Sequence, residues 1–268
     1  MLREMTLGQY YQTESRLHRL DPRVKLLGTL IFIISLFISQ KAACYATAAL
    51  FLICMIKLSR VPFGYMVKGM KAIAFIMMIT VVFNLFLTPG ETLVHFMVFT
   101  ITKEGLTNAI FTAIRLTFLI LGSTLMTLTT TPNDLTDGLE RGLGFMKAFR
   151  LPVHEIAMMM SIALRFIPIL LEETDKIMKA QQARGADFES GGLIRRARAM
   201  VPLLVPLFVS AFRRANDLAL AMEARCYHGG EGRTKMKPLM YKAWDVRAYM
   251  ILFCYLALVI LAGIVSPV

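Results

Sequence analysis

"LPVHEIAMMMSIALRFIPILLEETDKIMKAQQARGADF", Leu151 to Phe188, is the stretch on which the fold turns. It is nearly apolar enough for a membrane span, yet Glu172, Glu173, Asp175, Lys176, Lys179 and Arg184 crowd its second half. Ile156, Met159, Ile162, Ala163, Phe166, Ile169 and Leu170 recur at the helical period, so it reads as one long amphipathic helix with a kink expected at Pro168. It closes on a small–arginine–small triad, Ala183, Arg184 and Gly185. A second segment, "LIRRARAMVPLLVPLFVSAFRRANDLALAMEARC" (Leu193 to Cys226), repeats the plan. Val205, Phe208, Phe212, Ala215, Ala219 and Met222 line one of its faces, and Pro202 and Pro206 are expected to break or bend its first half. It closes on Ala224, Arg225 and Cys226, its arginine 41 residues after the first.

The rest of the chain decides where these helices lie. Of 268 residues, 56% are hydrophobic while 18% are charged, with a net charge of +12. Those values coexist only where charge and apolar sequence are segregated. Leu26–Ile38, Ala42–Ile56, Ala72–Leu87, Leu106–Leu128 and Ala248–Ile264 are nearly charge-free. A helix needs about 20 residues to cross the hydrocarbon. Five spans are therefore predicted, the first two (Val24–Gln40 and Ala42–Leu58) forming a tight hairpin with Lys25, Lys41 and Lys57 snorkelling at its ends. With the N-terminus inside, residues 1–25, 57–71 and 131–247 face the cytoplasm and hold 5, 4 and 18 of the lysines and arginines, or 27 of 30. That asymmetry is what the positive-inside rule expects, and it puts the C-terminus outside. The expected architecture is an all-α integral membrane protein: about five transmembrane helices plus a cytoplasmic domain of long amphipathic coupling helices. Residues 1–130 form an N-terminal transmembrane region of four spans, 131–246 the cytoplasmic coupling helices, and 247–268 a C-terminal transmembrane helix. The first apolar run starts too late for a secretory signal and no cleavage site follows it, so it is expected to stay as an anchor.

The cytoplasmic block opens with "TTTPNDLTDGLERGLGFM". Thr131 reads as an N-cap and Pro132 as the first helical residue, with Asp134 and Asp137 near the positive end of the dipole. At the ends of the two long helices, small neighbours leave each guanidinium unshielded and able to enter a partner's groove. Arginine suits this because its planar fork binds carboxylates bidentately and keeps its charge when buried. Gly185 would equally serve as an ordinary C-cap, and arginine at a helix C-terminus is ordinary dipole chemistry. Two matched triads point instead to a partner with two equivalent grooves, a dimer.

Several chemistries find no support. There is no GxxxxGK[ST], so the chain supplies no ATP site. Cys44, Cys54, Cys226 and Cys254 form no CxxC, and His18, His95, His154 and His228 are scattered, so no metal site, disulfide framework or other cofactor is expected. Arg115, inside the fourth span, is read as structural, bonded to carbonyls or Asn84. "GGEGRTKMK" (Gly229–Lys237) reads as a flexible link. Met158, Met159 and Met160, with Met146, Met178 and Met200 nearby, offer an adaptable apolar surface. No nucleic-acid motif is present.

"LHRLDPRVKLL" (Leu17–Leu27), "TLTTTPNDLTDGLE" (Thr127–Glu140), the opening stretch and the second triad together resemble the T component of energy-coupling factor (ECF) transporters, the EcfT family with its cobalt-transport relative CbiQ. The resemblance covers nearly the whole chain. It implies a non-catalytic coupling subunit of an ABC importer for vitamin uptake at the cell membrane. Two ABC ATPases would dock on Ala183, Arg184, Gly185, Ala224, Arg225 and Cys226. A substrate-binding membrane S component would contact Met158, Met159, Met160, Phe166, Phe208 and Phe212. Cys226 departs from the family's glycine at that position, which puts its backbone freedom in question. Two other classes compete. A membrane-anchored scaffold or lipid-binding protein would need only the basic amphipathic helices and leaves the twin triads without a purpose. A membrane enzyme would need a polar cluster, for which Arg115 and Asn84 are too little.

Overall fold

Each charge-free run folds as a helix, because a backbone in hydrocarbon must satisfy its own hydrogen bonds. The computed structural model describes residues 10–38, 41–96, 99–144, 152–188, 192–229 and 239–265. Chain order is α1 (Pro22–Ile38), α2 (Ala42–Ser59), α3 (Phe63–Leu87), β1 (Thr92–Phe96), β2 (Phe99–Thr102), α4 (Lys103–Thr129), α5 (Pro132–Gly142), α6 (Val153–Ala183), α7 (Leu193–Glu223) and α8 (Ala243–Val265). Met146 and residues 230–237 of the expected link lie outside the described residues. The architecture is helical, with one addition. Between α3 and α4 the turn is a β-hairpin, antiparallel from Thr92↔Thr102 to Phe96↔Phe99 with a bulge between Thr92 and Val94.

Among the described residues four helices are long and apolar enough to cross a membrane: α2, α4, α6 and α8. A fifth candidate is α3, which bends by 64° between Phe63–Lys71 and Ile73–Leu87. At 17 residues α1 reaches only about 25 Å, in keeping with the short first hairpin. Of the break or bend expected at Pro202 and Pro206, a break does not occur. Helix α7 runs unbroken through both prolines, as α6 does through Pro168. Each proline forfeits a backbone bond but leaves the other bonds of its turn in place.

Contacts divide the chain into a larger unit, residues 8–141 with 239–268, and a smaller one built on residues 142–238. The larger unit's core joins Phe32 and Leu36 of α1, Tyr45, Ala48 and Leu52 of α2, Leu121, Leu125 and Leu128 of α4, and Tyr255 and Val259 of α8. Helices α1 and α4 approach so closely at Gly122 that a Cβ there would stand 2.7 Å from the Phe32 ring. The Ser35 and Tyr255 hydroxyls satisfy one another at 2.6 Å in this apolar interior. Arg115 donates from Nε to the Tyr45 hydroxyl at 3.0 Å and lies 5.3 Å from the Phe37 ring. Its partners are thus aromatic side chains of α1 and α2. Asn84, an expected partner, donates instead to the Thr80 carbonyl one turn back on α3.

One end of this bundle is latched by polar groups. The Asp245 carboxylate, 2% exposed, accepts from the backbone N–H of Asp21 at 2.9 Å and of Lys242 at 2.7 Å, tying the start of α1 to the start of α8. Lys25 Nζ donates to the carbonyls of Thr129 (2.8 Å) and His18 (3.1 Å), tying the start of α1 to the end of α4. Arg23 pairs with Asp21 at 3.0 Å. Burial disfavours charge on Asp21, but the side-chain and backbone hydrogen bonds from Arg23 outweigh it and hold the carboxyl below the usual carboxylate range. At α5, Thr131 caps as expected, accepting from the Asp134 N–H at 3.1 Å and donating to its carboxylate at 2.7 Å. Gly138 lets α5 sit on α1, where a Cβ would come within 2.9 Å of Pro22. Arg141, at the end of α5, donates to the Leu239 carbonyl at 2.9 Å. The chain therefore leaves the larger unit at residue 142 and rejoins it at residue 239 at one place.

Removing the Asp245 carboxylate strands the buried Asp21 N–H, worth about 1–3 kcal/mol when left unpaired, and releases the part-buried Lys242 N–H. Asp245→Ala should therefore lower stability by roughly 1–3 kcal/mol. Asp245→Asn, which keeps one acceptor, should lose less. Thermal unfolding of the detergent-solubilised chain, followed by circular dichroism, checks the order. Equal melting of all three proteins would mean that the latch is not where α1 and α8 are joined.

Candidate docking site

Helices α6 and α7 are each 31 residues long. They are joined by a polar cluster in which Arg214 of α7 donates to Glu173 of α6 at 2.7 Å and Ser210 donates to the other oxygen of that carboxylate at 2.5 Å. The Ser210 hydroxyl first, and then Arg214, hold the Glu173 carboxyl below the usual glutamate range. The pair therefore keeps its charge at pH values where a free glutamate would already be protonating. Glu173 and Arg214 are 41 residues apart, the same spacing as Arg184 and Arg225. Each member of the bridge thus stands 11 residues before its own helix's arginine. The bridge therefore joins matched positions of two helices that are alike in length and in the placing of the terminal arginine.

Both triads fold the same way. At the end of α6, the Gly185 N–H donates to the Gln182 carbonyl (2.9 Å) and the Ala186 N–H to Gln181 (3.0 Å), with Gly185 left-handed at φ 88°. At the end of α7, the Cys226 N–H donates to Glu223 (2.8 Å) and the Tyr227 N–H to Met222 (3.0 Å), with Cys226 left-handed at φ 57°. These are the two bonds of a Schellman cap. The capping role open to Gly185 is real, and both triads perform it. The cap also sets the course of the chain beyond each arginine, because the left-handed residue turns it sharply away. Ala183, Arg184, Gly185, Ala224, Arg225 and Cys226 are all exposed. Among the described residues neither guanidinium makes a hydrogen bond or ion pair. Cys226 carries a free thiol.

Above the tips, α7 presents an unpartnered apolar stripe: Val201, Leu204, Val205, Phe208, Val209 and Phe212, the last 69% exposed. On α6, Met159 and Met160 are exposed, while Met158 and Phe166 are half-buried. Patches of this extent mark a protein or membrane contact. The sequence reading missed the bridge, although its signal was present: Glu172–Glu173 and Arg213–Arg214 stand opposite each other when the two triads are aligned.

Four to five candidate spans in an all but wholly helical chain define the class, a multi-span membrane protein. The family model of CbiQ, cobalt transport protein, matches residues 13–236. A Clostridium kluyveri protein named energy-coupling factor transporter transmembrane protein EcfT is 51% identical over 261 residues, covering 97% of this chain and 96% of its own. Proteins of the same name from Thermosediminibacter oceani (51% over 249 residues, 93% and 94% covered) and Bacillus subtilis (48% over 259 residues, 96% and 98% covered) are similar throughout. The chain belongs to this family, the transmembrane components of energy-coupling factor transporters.

A left-handed φ costs a residue bearing a Cβ about 1–2 kcal/mol. Cys226→Gly should therefore tighten the second cap, and Gly185→Val should loosen the first by at least that amount. Amide hydrogen exchange at Tyr227 and Ala186, the outer donors of the two caps, reads both effects. Unchanged protection of Ala186 in Gly185→Val would contradict the left-handed cap.

Proposed function

We propose that this chain is the coupling subunit of an ECF-type ABC importer in the cell membrane, joining ATP binding and hydrolysis by two ABC ATPases to movement of a substrate-binding S component in vitamin uptake. The observation that carries this reading is the matched pair of capped, exposed arginines, each 11 residues from the Glu173–Arg214 bridge. A matched pair of cationic tips suits a dimer that offers the same groove twice. Arg184 and Arg225 enter those grooves, while Ala183, Gly185, Ala224 and Cys226 keep the approach clear. The S component takes the apolar surface of Met158, Met159, Met160, Phe166, Phe208 and Phe212, which would otherwise need lipid to cover it. Hydrolysis belongs to the partners.

The N-terminus and the α6–α7 pair are cytoplasmic and the C-terminus is outside. Two observations support this orientation. Residues 1–25, 57–71 and 131–247 hold 27 of the 30 lysines and arginines. In addition, the end of α4 and the start of α8 meet the same end of α1, and Arg141 reaches Leu239. The segment between therefore crosses the membrane an even number of times. Helix α6 is apolar enough to be a span by itself, but a single crossing would break that parity, and α7 does not meet the same test. Both helices stay on the side they start from.

Affinity capture of the tagged chain from its own host in mild detergent tests the proposal. The wild type should bring down two ABC ATPases and small membrane proteins. Arg184→Glu/Arg225→Glu should lose the ATPases and keep the membrane proteins, since breaking a buried charge pair costs about 2–5 kcal/mol. Absence of any ATPase with the wild type would sink the docking role and leave lipid or scaffold binding. The bridge makes a separate prediction. Glu173→Arg and Arg214→Glu alone should each depress uptake, and the exchanged pair together should recover most of it. Uptake no better in the exchanged pair than in either single variant would remove the bridge from the coupling path.

A further inference from the structure

At its latched end the bundle of α1, α2, α4 and α8 encloses a cavity of about 710 Å³, within the range of small-molecule sites. Its depth is apolar: Val24, Phe32, Leu52, Met55, Leu125 and Leu252 face it, with Gly28 and Gly122 narrowing the walls. Its mouth is cationic, lined by Arg16, Arg19, Lys25, Lys242 and Arg247 around Trp244. No acidic residue lines it among the described residues. The neighbouring carboxylates are already engaged: Asp245 by two backbone N–H groups and Asp21 by Arg23. Asp134 and those two aspartates act on Lys25 only through space, and Lys25 is bonded to two carbonyls. Arg19 shares its charge with Glu14 on the open surface. Arg16 and Arg247 have no carboxylate among the described residues. Their guanidinium carbons instead lie 5.8 Å and 5.0 Å from the same Trp244 ring. Two cations sharing one indole repel each other, and an anion between them would relieve that repulsion.

We propose that this cavity is a binding site for an anionic phospholipid, with an acyl chain in the apolar depth and the phosphate at Arg16, Arg247 and Lys242. The occupant is a lipid rather than a soluble anion because, apart from Thr29 and Thr129, the uncharged lining is glycine and apolar side chains, which offer a soluble anion little and an acyl chain a great deal. It is an anionic lipid because the rim carries uncompensated positive charge. The tryptophan is where an interfacial anchor belongs, at headgroup depth. Basic pockets between helices on the cytoplasmic side of a membrane bind such headgroups, and the cytoplasmic leaflet is where anionic lipids lie. The site needs neither an ATPase nor an S component.

Trp244 is the chain's only tryptophan, so its emission reports on this mouth alone. The full chain in neutral detergent is titrated with phosphatidylglycerol, with phosphatidylcholine, and with inorganic phosphate. Phosphatidylglycerol should shift Trp244 emission saturably, and phosphatidylglycerol brominated along its acyl chains should quench it. The other two should do neither. Arg16→Gln/Arg247→Gln, both exposed positions, should weaken the apparent affinity roughly thirtyfold while leaving the circular dichroism unchanged. Equal responses to phosphatidylcholine would overturn the charge assignment, and an equal response to phosphate would overturn the lipid. Unaltered affinity in the double variant would overturn the site. ATPase capture by the same double variant should match the wild type, so this result and that of the docking test stand apart.

Discussion

The Asp245 carboxylate joins two ends of the chain that are 224 residues apart in sequence. It is buried, and it satisfies two backbone donors, the Asp21 N–H inside the bundle and the part-buried Lys242 N–H at its edge. With Lys25 closing the neighbouring gap to α4, it makes three helix ends converge, and that convergence governs the rest. The segment between α5 and α8 must begin and end at one place. Whatever it does, it does as an insertion carried on a rigid base. A bundle held only by apolar packing between its helices could slide along their axes. A buried charge fixed by two hydrogen bonds sets the register of α1 against α8, because sliding by even one residue would strand the donors.

Within the insertion the organising feature is repetition without sequence identity. Helices α6 and α7 share length, the charged position at the crossing and the capped arginine, yet few side chains match between them. Physical equivalence needs only the residues that set the pivot and the tips. The intervening faces are free to differ, and they do: the exposed Phe208 and Phe212 of α7 stand where α6 has Ile167 and Leu171. The prolines obey the same logic, since α6 carries one and α7 two without losing helical continuity.

Much of this was legible in the sequence, and the rest was hidden for identifiable reasons. Helix positions came from apolar runs, the α5 cap from Thr131 and Asp134, and the twin triads from their spacing. The β-hairpin was not read, although "TLVHFMVFTIT" is rich in β-branched and aromatic residues, because a short apolar run beside spans looks like part of a span. Asp21 and Arg23 in "LDPRVKLL" carried a family resemblance but no stated role, and Lys25 was expected to snorkel, whereas it turns inward to the carbonyls of Thr129 and His18. The Asp21–Arg23 pair is local, but the Asp245 carboxylate that the Asp21 N–H meets and the Thr129 carbonyl that holds Lys25 are distant in sequence, and no local pattern reveals them. Arg115 was correctly given a structural part, but with the wrong partners, since Tyr45 and Phe37 come within reach only through the packing of α1 and α2 against α4. The left-handed Cys226 was an open question in sequence. It takes that conformation because the Schellman bonds outweigh the strain on its Cβ.

The position of the Glu173–Arg214 bridge has a mechanical consequence. Eleven residues of helix make a lever arm of about 16 Å on each side. Turning α6 against α7 by about 10° around the bridge would shift the two arginines roughly 3 Å relative to each other, about the length of one hydrogen bond and half of it at each tip, while the bridge itself barely shifts. The arms are equal, so the two tips travel equal distances. The pivot is a charge pair rather than an apolar contact, so it can rotate without opening a void. A small change of angle at the bridge would thereby reach both tips in equal measure.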